Sequence, residues 1–376
     1  MAGPASRSPE RPLGVAIVGL GMIASTHADA LSAIPGARLV GVFDGVTEAT
    51  RSFASRYGVR GFASLEEMLD DPSVDIVSVC TPHPTHAAIA VAAADRGRHV
   101  LVEKPMAPTL ADCDAMLAAA DRGGVRLGVV SQRRWYEPVR RVRDAIARGA
   151  IGDPILATLT LLGWRDEAYY KMAPWRGTWS GEGGGVLVNQ ASHHLDLLRW
   201  LMGPAVEVFG HWANMNHPSI EVDDTAVAVL RFASGALGTI VLSNAQRPGL
   251  YGRIAIHGRN GASVGVQTET GSAFVAGLTT RVEPPFNDLW TVPGEEDRLA
   301  DWQAEDRARA AALDPMTHYH RLQIADFVDA VATGRSPSVT GVDGRDAVEL
   351  FAAVYESERT QAPVRLPMEV RSQSTA

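Results

Sequence analysis

The side chains best suited to moving a proton lie in two short segments of the sequence. Lys104 stands in EKP, and His193 and His194 stand side by side in GEGGGVLVNQASHHLDLLRWLMG. Hydride transfer from an alcohol carbon needs a base for the hydroxyl proton, and a desolvated lysine or a histidine can serve as that base. We therefore take Lys104 and one of the histidines as candidates for catalysing the oxidation of a hydroxyl group.

Helical periodicity separates the two histidines. In a single helix over 186–202, with about 100° per residue, His194 lies beside an apolar stripe and His193 lies on the opposite side with Asn189. His193 is therefore predicted to be catalytic and His194 to be a packing residue. Asn189 is within side-chain reach of His193 and can orient it or a substrate hydroxyl, but an amide cannot act as the base. The glycines at 183–185 permit a close backbone approach, which a substrate or a nicotinamide could make.

A glycine-rich turn near the start of the chain predicts a dinucleotide site. Gly19, Gly21 and Ala24 form a G-x-G-x-x-A pattern between an apolar strand and a helix that Met22 and Ile23 open. Gly19 allows the tight turn, and Gly21 lets the backbone approach a pyrophosphate at the helix N-terminus.

The end of the second strand indicates which dinucleotide is bound. Asp44 follows the apolar run LVGVF and precedes Gly45 and Val46, with no arginine next to it. A carboxylate at this place accepts hydrogen bonds from both ribose hydroxyls and repels a 2′-phosphate. We therefore expect NAD to be preferred over NADP.

The elements that must position these residues divide the chain into two predicted domains. Strands and helices alternate over 12–131, which is typical of a doubly wound parallel sheet, a Rossmann domain, preceded by a disordered lead-in over 1–11. Helices at 135–148, 321–332 and 343–357 and several strands over 155–266 predict a second, α+β domain over 132–376. Its sheet is expected to be large, mostly antiparallel and open, with a hairpin turn at ASGA. The stretch 164–185 shows no period and is predicted to be a loop.

Composition excludes several classes of protein. The net charge of -8 argues against a general nucleic-acid binder and against an anionic membrane surface. Apolar runs are too short for a membrane span. Two cysteines without a metal-like spacing form no disulfide framework, so a reduced cytoplasmic location is the simplest interpretation.

Four motifs taken together resemble one family. AIVGLGMIA, CTPHPTH, EKP and GGGVLVNQASHHLDLLRWL occur in this order, and the set resembles the Gfo/Idh/MocA family of NAD(P)-dependent sugar and cyclitol oxidoreductases over about 13–366. The resemblance implies that Lys104 and His193 are the catalytic residues and that Asn189 stands where many members carry Asp. It also implies a homodimer or homotetramer built through the open sheet. The remaining implied cofactor contacts are Glu103 beside the nicotinamide ribose and a loop under the cofactor formed by Thr81, Pro82 and His86.

Aromatic and cationic residues between the two domains' motifs predict a substrate region. Aromatic faces match the C–H faces of a sugar ring, and arginine can fork onto hydroxyls or onto an anionic substituent. The same aromatics could instead fill an interface between domains or subunits. The candidate substrate residues are Tyr136, Trp164, Arg165, Trp175, Arg176, Asn189 and His193.

Three functions remain open on this evidence. The leading hypothesis is an NAD-dependent dehydrogenase acting on a secondary hydroxyl of a sugar, glycoside or cyclitol. The alternative is a redox-neutral glycoside hydrolase, which oxidises the hydroxyl transiently, eliminates the aglycone, adds water and reduces the product again. The third is a non-catalytic NAD-responsive regulator.

His318 and His320 have an H-x-H spacing without an evident third ligand, so no metal is expected.

Overall fold

The computed structural model describes residues 11–270 and 285–369, and these residues form two compact units. The predicted lead-in over 1–11 lies almost wholly outside the described residues. The first unit comprises Met1–Ala107, Asp112–Gln132 and Asp314–Arg345, and the second comprises Pro108–Ala111, Arg133–Leu313 and Asp346–Ala376. The observed division therefore differs from a single boundary at 131, because a late segment of the chain returns to the first unit. None of the helices over the described ranges is long and apolar enough to cross a membrane.

The first unit is built on a parallel sheet, as the strand–helix alternation predicts. Among its described residues, six strands lie in the order β3-β2-β1-β4-β5-β6. The strands are β1 (Leu13–Val18), β2 (Ala37–Phe43), β3 (Arg60–Gly61), β4 (Ile76–Val79), β5 (His99–Val102) and β6 (Leu127–Val129). The helices are α1 (Met22–Ser32), α2 (Thr47–Tyr57), α3 (Leu65–Asp70), α4 (His86–Ala94) and α5 (Leu110–Gly123). Strand order reverses between β1 and β4, which is where ligands bind in such sheets.

The second unit contains an eight-stranded sheet over the described ranges, in the order β13-β12-β11-β7-β10-β9-β8-β14. The β7 and β10 strands run parallel, and the other neighbours are antiparallel. The predicted ASGA hairpin joins β9 to β10. The helices up to residue 312 are α6 (Glu137–Ala147), α7 (Glu167–Lys171), α8 (Trp179–Glu182), α9 (Ser192–Met202) and α10 (Arg298–Ala312). The strands are β7 (Pro154–Leu162), β8 (Ala205–Ala213), β9 (Thr225–Phe232), β10 (Leu237–Ser243), β11 (Tyr251–Gly258), β12 (Ser263–Thr270), β13 (Phe286–Trp290) and, near the end of the chain, β14 (Val364–Arg365).

Two long helices follow α10, and the first of them belongs to the first unit. These are α11 (Pro315–Thr333) and α12 (Gly341–Thr360). Ile324, Phe327 and Val328 of α11 join the same buried cluster as Ile17 of β1. The helix α11 begins at Pro315, six residues before the predicted start at 321. The side chain of its N-cap, Asp314, accepts from backbone N–H groups of the first turn.

The expected single helix over 186–202 is wrong. The segment divides into a π-helical turn over Val186–Gln190 and α9, which begins at Ser192. His193 and Asp196, on the side predicted to lie opposite the apolar stripe, are both buried. The loop expected over 164–185 likewise contains α7 and α8, each begun by a side-chain cap from Asp166 or Thr178.

Candidate active-site residues in each unit

The glycine turn after β1 has the form that a pyrophosphate site needs. Gly19 has φ +85°, and a Cβ placed on it would lie 2.6 Å from the backbone nitrogen of Thr81. A Cβ on Gly21 would meet nothing within 4 Å, so the backbone stays bare where α1 begins. The N-cap of α1 makes no side-chain hydrogen bond, and its first turn carries no acidic residue. The turn therefore fits the phosphates of a dinucleotide, whose oxygens can accept from the helix N-terminus.

Asp44 is held at the edge of this turn by backbone donors. Its Oδ2 accepts from the backbone N–H of Leu20 at 2.8 Å, and its Oδ1 accepts from that of Val46 at 2.8 Å. The carboxylate is half-buried and joined to the glycine turn itself. Its position is thus set by the same loop that would hold the pyrophosphate.

His86 joins the two loops that follow β4 and β5. It is 0% exposed, and its Nε2 lies 2.8 Å from the carbonyl oxygen of Thr81. Its Nδ1 lies 3.1 Å from the carbonyl oxygen of Pro105. Burial lowers the pKa of His86. His86 therefore supports both loops from the protein interior, which corrects its predicted contact with the cofactor. Thr81 is half-buried and Pro82 is exposed.

A buried cluster of His27, Glu103 and His320 lies behind Lys104. Glu103 Oε1 is 2.8 Å from His27 Nε2 and 3.8 Å from His320 Nε2. Burial opposes the charge of Glu103, but the His27 hydrogen bond and charge outweigh it and lower the Glu103 pKa to about 2. Burial, helped by the His27 charge, lowers the pKa of His320 to about 4.

This cluster changes the predicted roles of two residues. Glu103 was expected beside the nicotinamide ribose, but it is 8% exposed and its carboxylate turns into the cluster. His320, rather than His318, contributes to a group whose donor atoms all lie within 4.8 Å of one another. Histidine and carboxylate are metal-ligand types, but here His27 Nε2 hydrogen-bonds Glu103 and His27 Nδ1 hydrogen-bonds Ser78 at 2.8 Å. The geometry is that of a hydrogen-bonded ion pair.

Lys104 lies on the loop that this cluster supports. Its backbone N–H donates to Glu103 Oε2 at 3.2 Å, and the following Lys104–Pro105 peptide is cis. The side chain is half-buried at the C-terminal end of β5, where open parallel sheets bind ligands. Lys104 therefore occupies the position in the first unit where a proton-transferring group is expected.

In the second unit, His194 is a structural residue, in agreement with the prediction of packing. It is 0% exposed, and its Nε2 lies 2.7 Å from Thr268 Oγ1. Arg133 NH1 lies 3.2 Å from the same nitrogen. A Cβ on Gly252 would stand 2.3 Å from this ring, so the neighbouring strand approaches it closely.

His193 is presented by a turn that Asp223 anchors. Asp223 is 0% exposed and accepts from the backbone N–H groups of Gly185 at 2.7 Å and Leu187 at 2.9 Å. The Tyr355 hydroxyl donates to it at 2.6 Å. The approach that the glycines permit is to protein rather than to a ligand, since a Cβ on Gly185 would lie 1.8 Å from the carbonyl oxygen of Asp223. His193, 7% exposed, starts α9 after this anchored turn.

Asn189 belongs to a polar network that the sequence did not reveal. It donates to Glu182 Oε1, and to the Tyr169 hydroxyl at 3.1 Å. Glu182 is 1% exposed, and burial raises its pKa above the usual range. Asp196 pairs with Arg134 at 2.5 Å.

The predicted substrate residues are partly brought together. Trp164, Arg165, Trp175 and Arg176 are half-buried, while Tyr136 is 9% exposed at the start of α6. Arg165 and Arg176 both lie over the ring of Tyr169, at 5.4 and 4.4 Å from its centroid. Glu182 and Asp223 were missed by sequence reasoning. The signals available for them are an acidic residue inside GEGGG and the pair of acidic residues just before β9.

The two units match known family models. Residues 13–131 match the oxidoreductase family, NAD-binding Rossmann fold, and residues 139–264 match the GFO/IDH/MocA C-terminal domain. The chain is 29% identical to myo-inositol 2-dehydrogenase of Thermotoga maritima, over 94% of this chain and 98% of the relative. It is 27% identical to levoglucosan dehydrogenase of Pseudarthrobacter phenanthrenivorans, over 94% and 98%.

A solved structure agrees with the same assignment. The WlbA dehydrogenase of Bordetella pertussis, in complex with NADH and UDP-GlcNAcA, has a TM-score of 0.81 and 31% identity, covering 96% of this chain and 100% of that one. The matches, together with the glycine turn after β1 and Lys104 after β5, define an enzyme. It is an oxidoreductase with an NAD-binding Rossmann domain. The chain belongs to the Gfo/Idh/MocA family. The relatives are named as dehydrogenases, which supports the oxidoreductase hypothesis and gives the glycoside hydrolase alternative no support.

Proposed function

We propose that this enzyme oxidises a secondary hydroxyl of a sugar, glycoside or cyclitol. A bound NAD would accept the hydride at C4 of its nicotinamide, and Lys104 and His193 would accept and return the hydroxyl proton. The observation that carries the proposal is Lys104 on a loop braced by His86 and Glu103, beside a glycine turn that fits a dinucleotide. The names of the relatives, which include an inositol and a levoglucosan dehydrogenase, support the substrate class.

The two proposed catalytic residues differ in what they can contribute. An ammonium group has three donors and can hold a hydroxyl oxygen; near a positively charged nicotinamide ring it loses its proton more readily. An imidazole titrates near neutral pH and can accept or return a proton without a large change in conditions. Asn189 carries no charge, and its proposed role is to orient His193 or a substrate hydroxyl. The proposed substrate contacts are Tyr136, Trp164, Arg165, Trp175, Arg176, Asn189 and His193.

NAD is the proposed cofactor in preference to NADP. Asp44 is anchored by two backbone donors at the end of β2, next to the glycine turn. A ribose with two free hydroxyls can donate to this carboxylate, whereas a 2′-phosphate would bring like charges together. The nicotinamide, when bound, accepts the hydride; Gly19, Gly21, Met22, Ile23, Thr81 and Pro82 are the residues proposed to line the rest of the cofactor.

The proposal extends to assembly and location. The outward face of β9 and β10 carries Val227 at 44%, Val229 at 53% and Leu237 at 49% exposure. Apolar rows on an open sheet favour contact with a second copy, so we propose a homodimer or homotetramer. Both cysteines are free and buried, which suits a reducing cytoplasm.

A substrate panel tests the proposed reaction. Purified enzyme with NAD should form NADH with at least one sugar or cyclitol, and Lys104→Met should abolish turnover while NADH still binds. The matched control is Lys171→Met, because Lys171 is an exposed lysine of α7 paired with Glu167. Full turnover in Lys104→Met would overturn the assignment of Lys104. Absence of NADH from every hydroxyl substrate, with NAD bound, would overturn the proposed reaction.

A further inference from the structure

Over the described residues, two half-buried arginines of the second unit, Arg165 and Arg176, have no carboxylate within 4.0 Å, unlike several other arginines of this unit. Several buried or half-buried arginines of this unit each pair with an acid: Arg134 with Asp196, Arg141 with Asp306, Arg199 with Asp346 and Arg253 with Asp288. Over the described ranges, neither Arg165 nor Arg176 has an ion pair within 4.0 Å. The Nε atoms of both are buried and make no hydrogen bond.

The protein holds both guanidinium groups against one aromatic ring. Arg176 NH1 donates to the Tyr169 hydroxyl at 2.6 Å, and its guanidinium carbon lies 4.4 Å from that ring centroid and 4.5 Å from the Trp175 centroid. Arg165 lies over the same tyrosine and donates from NH1 to the Trp164 carbonyl at 2.8 Å. Each guanidinium therefore uses one nitrogen for an oxygen of the protein and keeps donors for another partner.

The backbone of Arg165 is fixed by hydrogen bonds at both its N–H and its carbonyl group. Its N–H donates to the Asn244 carbonyl at 3.0 Å, and its carbonyl oxygen lies 2.7 Å from His217 Nε2. The other nitrogen of His217 lies 2.7 Å from the buried carboxylate of Asp224. These hydrogen bonds fix the backbone position from which the Arg165 side chain extends. Binding residues are commonly supported in this way.

Nearby acidic groups are engaged elsewhere. Asp166 caps α7, Glu167 pairs with Lys171, and Asp224 pairs with His217. Glu182, the buried acid of the same network, accepts from the Asn189 side chain and from the backbone N–H of Gly177, and burial raises its pKa. Two like charges on one ring repel each other, and a buried guanidinium N–H without a partner is costly. An incoming anion would remove both penalties.

We propose that Arg165 and Arg176 form a subsite for a carboxylate on the sugar substrate, so that the enzyme prefers a uronic acid to its neutral counterpart. A carboxylate matches the planar fork of arginine, and the faces of Trp164 and Trp175 suit the C–H face of the ring that carries it. The Tyr169 hydroxyl accepts from both Arg176 and Asn189, so the subsite belongs to the same polar network as the residue four positions before His193. The inference rests on the proposed function and names its substrate class.

Matched substrate pairs test this subsite. The pairs are glucose with glucuronate, galactose with galacturonate, and UDP-GlcNAc with UDP-GlcNAcA, each assayed for NADH formation. The uronic member should have the higher kcat/KM. Arg176→Gln and Arg165→Gln should each lower kcat/KM for the uronic member about 10- to 100-fold more than for the neutral member, the difference expected for a charge-assisted hydrogen bond. Arg176→Lys, which keeps the charge without the fork, should lie between. Arg307→Gln, at an exposed arginine of α10, is the control.

The outcomes separate this inference from the proposed reaction. A wild-type preference for the neutral members, or an equal loss on both members in the Arg→Gln variants, overturns the subsite. If no pair yields NADH, the proposed reaction fails, and calorimetric titration of the same pairs into the NADH complex judges the subsite alone. Tighter binding of the uronic member that is lost in Arg176→Gln supports it. Equal binding, or no binding of any uronic member, overturns it.

Discussion

Replacing His27 with glutamine should change how the unfolding free energy of the first unit depends on pH. The His27 ring is 0% exposed between Glu103 and Ser78. A neutral ring could donate from Nε2 to Glu103 and accept at Nδ1 from the Ser78 hydroxyl. A charged ring could donate to both. Only the charged ring makes stability depend on pH above neutrality, so the pH profile distinguishes the two states.

The magnitude follows from the contacts of His27. Burial disfavours the imidazolium, but Cys80 and Glu103 outweigh burial and raise the pKa of His27 from 6.5 to about 10. A displacement of this size corresponds to about 5 kcal/mol. The lowered pKa of Glu103 arises from the same His27–Glu103 contact, so its free energy is not added to that of His27. The contribution of Cys80 to the raised His27 pKa requires the thiolate form of Cys80, so about 5 kcal/mol is the upper end of the range. We expect the glutamine variant to lose about 3–5 kcal/mol of unfolding free energy near pH 6, as when a buried pair is broken.

The sign of the pH dependence is fixed by the direction of each shift. The folded-state pKa of His27 is raised, so its stabilisation is complete below 6.5 and is lost as the pH rises towards about 10. The folded-state pKa of Glu103 is lowered, so its stabilisation is present above 4.5 and is lost as the pH falls towards about 2. Wild-type stability relative to His27→Gln should therefore fall by up to about 1.4 kcal/mol per pH unit above 6.5.

Urea unfolding of both proteins over this pH range measures the effect. All eight tryptophans follow residue 132, so far-ultraviolet circular dichroism is needed to include the first unit. His257→Gln removes an imidazole from β11, where Nδ1 lies 2.8 Å from the Ser263 hydroxyl, and serves as the control. A difference between wild type and His27→Gln that stays constant from about pH 6 to 9 would show that His27 is neutral and would refute the ion pair.

Three further predictions concern the remaining parts of the site. Lys104→Met should lower kcat by about 10²–10⁴-fold, the usual contribution of a general base, and leave the NADH dissociation constant within about threefold; a large loss of NADH affinity would instead indicate a collapsed loop. Asp44→Ala should weaken NAD by about tenfold and narrow the difference between NAD and NADP, which titration of both dinucleotides measures. Asp223→Ala leaves the N–H groups of Gly185 and Leu187 and the Tyr355 hydroxyl without their acceptor, so calorimetry should show a loss of about 3 kcal/mol or more; Asp223→Asn, which keeps one oxygen acceptor, should lose less.

Local sequence signals were sufficient wherever one element decides the structure. The G-x-G-x-x-A turn, Asp44 and the parallel strands were predictable because each depends on a short segment between a strand and a helix. The turn before His193 was not predictable, because Asp223 shapes it from a distant strand and the glycines make room for that contact. The return of α11 to the first unit was missed for the same reason. Its apolar residues show a helical period, which does not indicate the partner that buries them.

The amide at residue 189 follows from its buried neighbour. Glu182 is almost fully buried and hydrogen-bonded to Asn189 and to the backbone N–H of Gly177 at 2.6 Å. Burial raises the Glu182 pKa above its ordinary value. An aspartate at 189 would place a second carboxyl within hydrogen-bonding distance of the first, and two carboxylates that share a site cannot both ionise readily. An amide donates to Glu182 without that repulsion. An aspartate at 189 is therefore disfavoured with Glu182 in its observed place, which is consistent with the proposal that Lys104 and His193 transfer the proton.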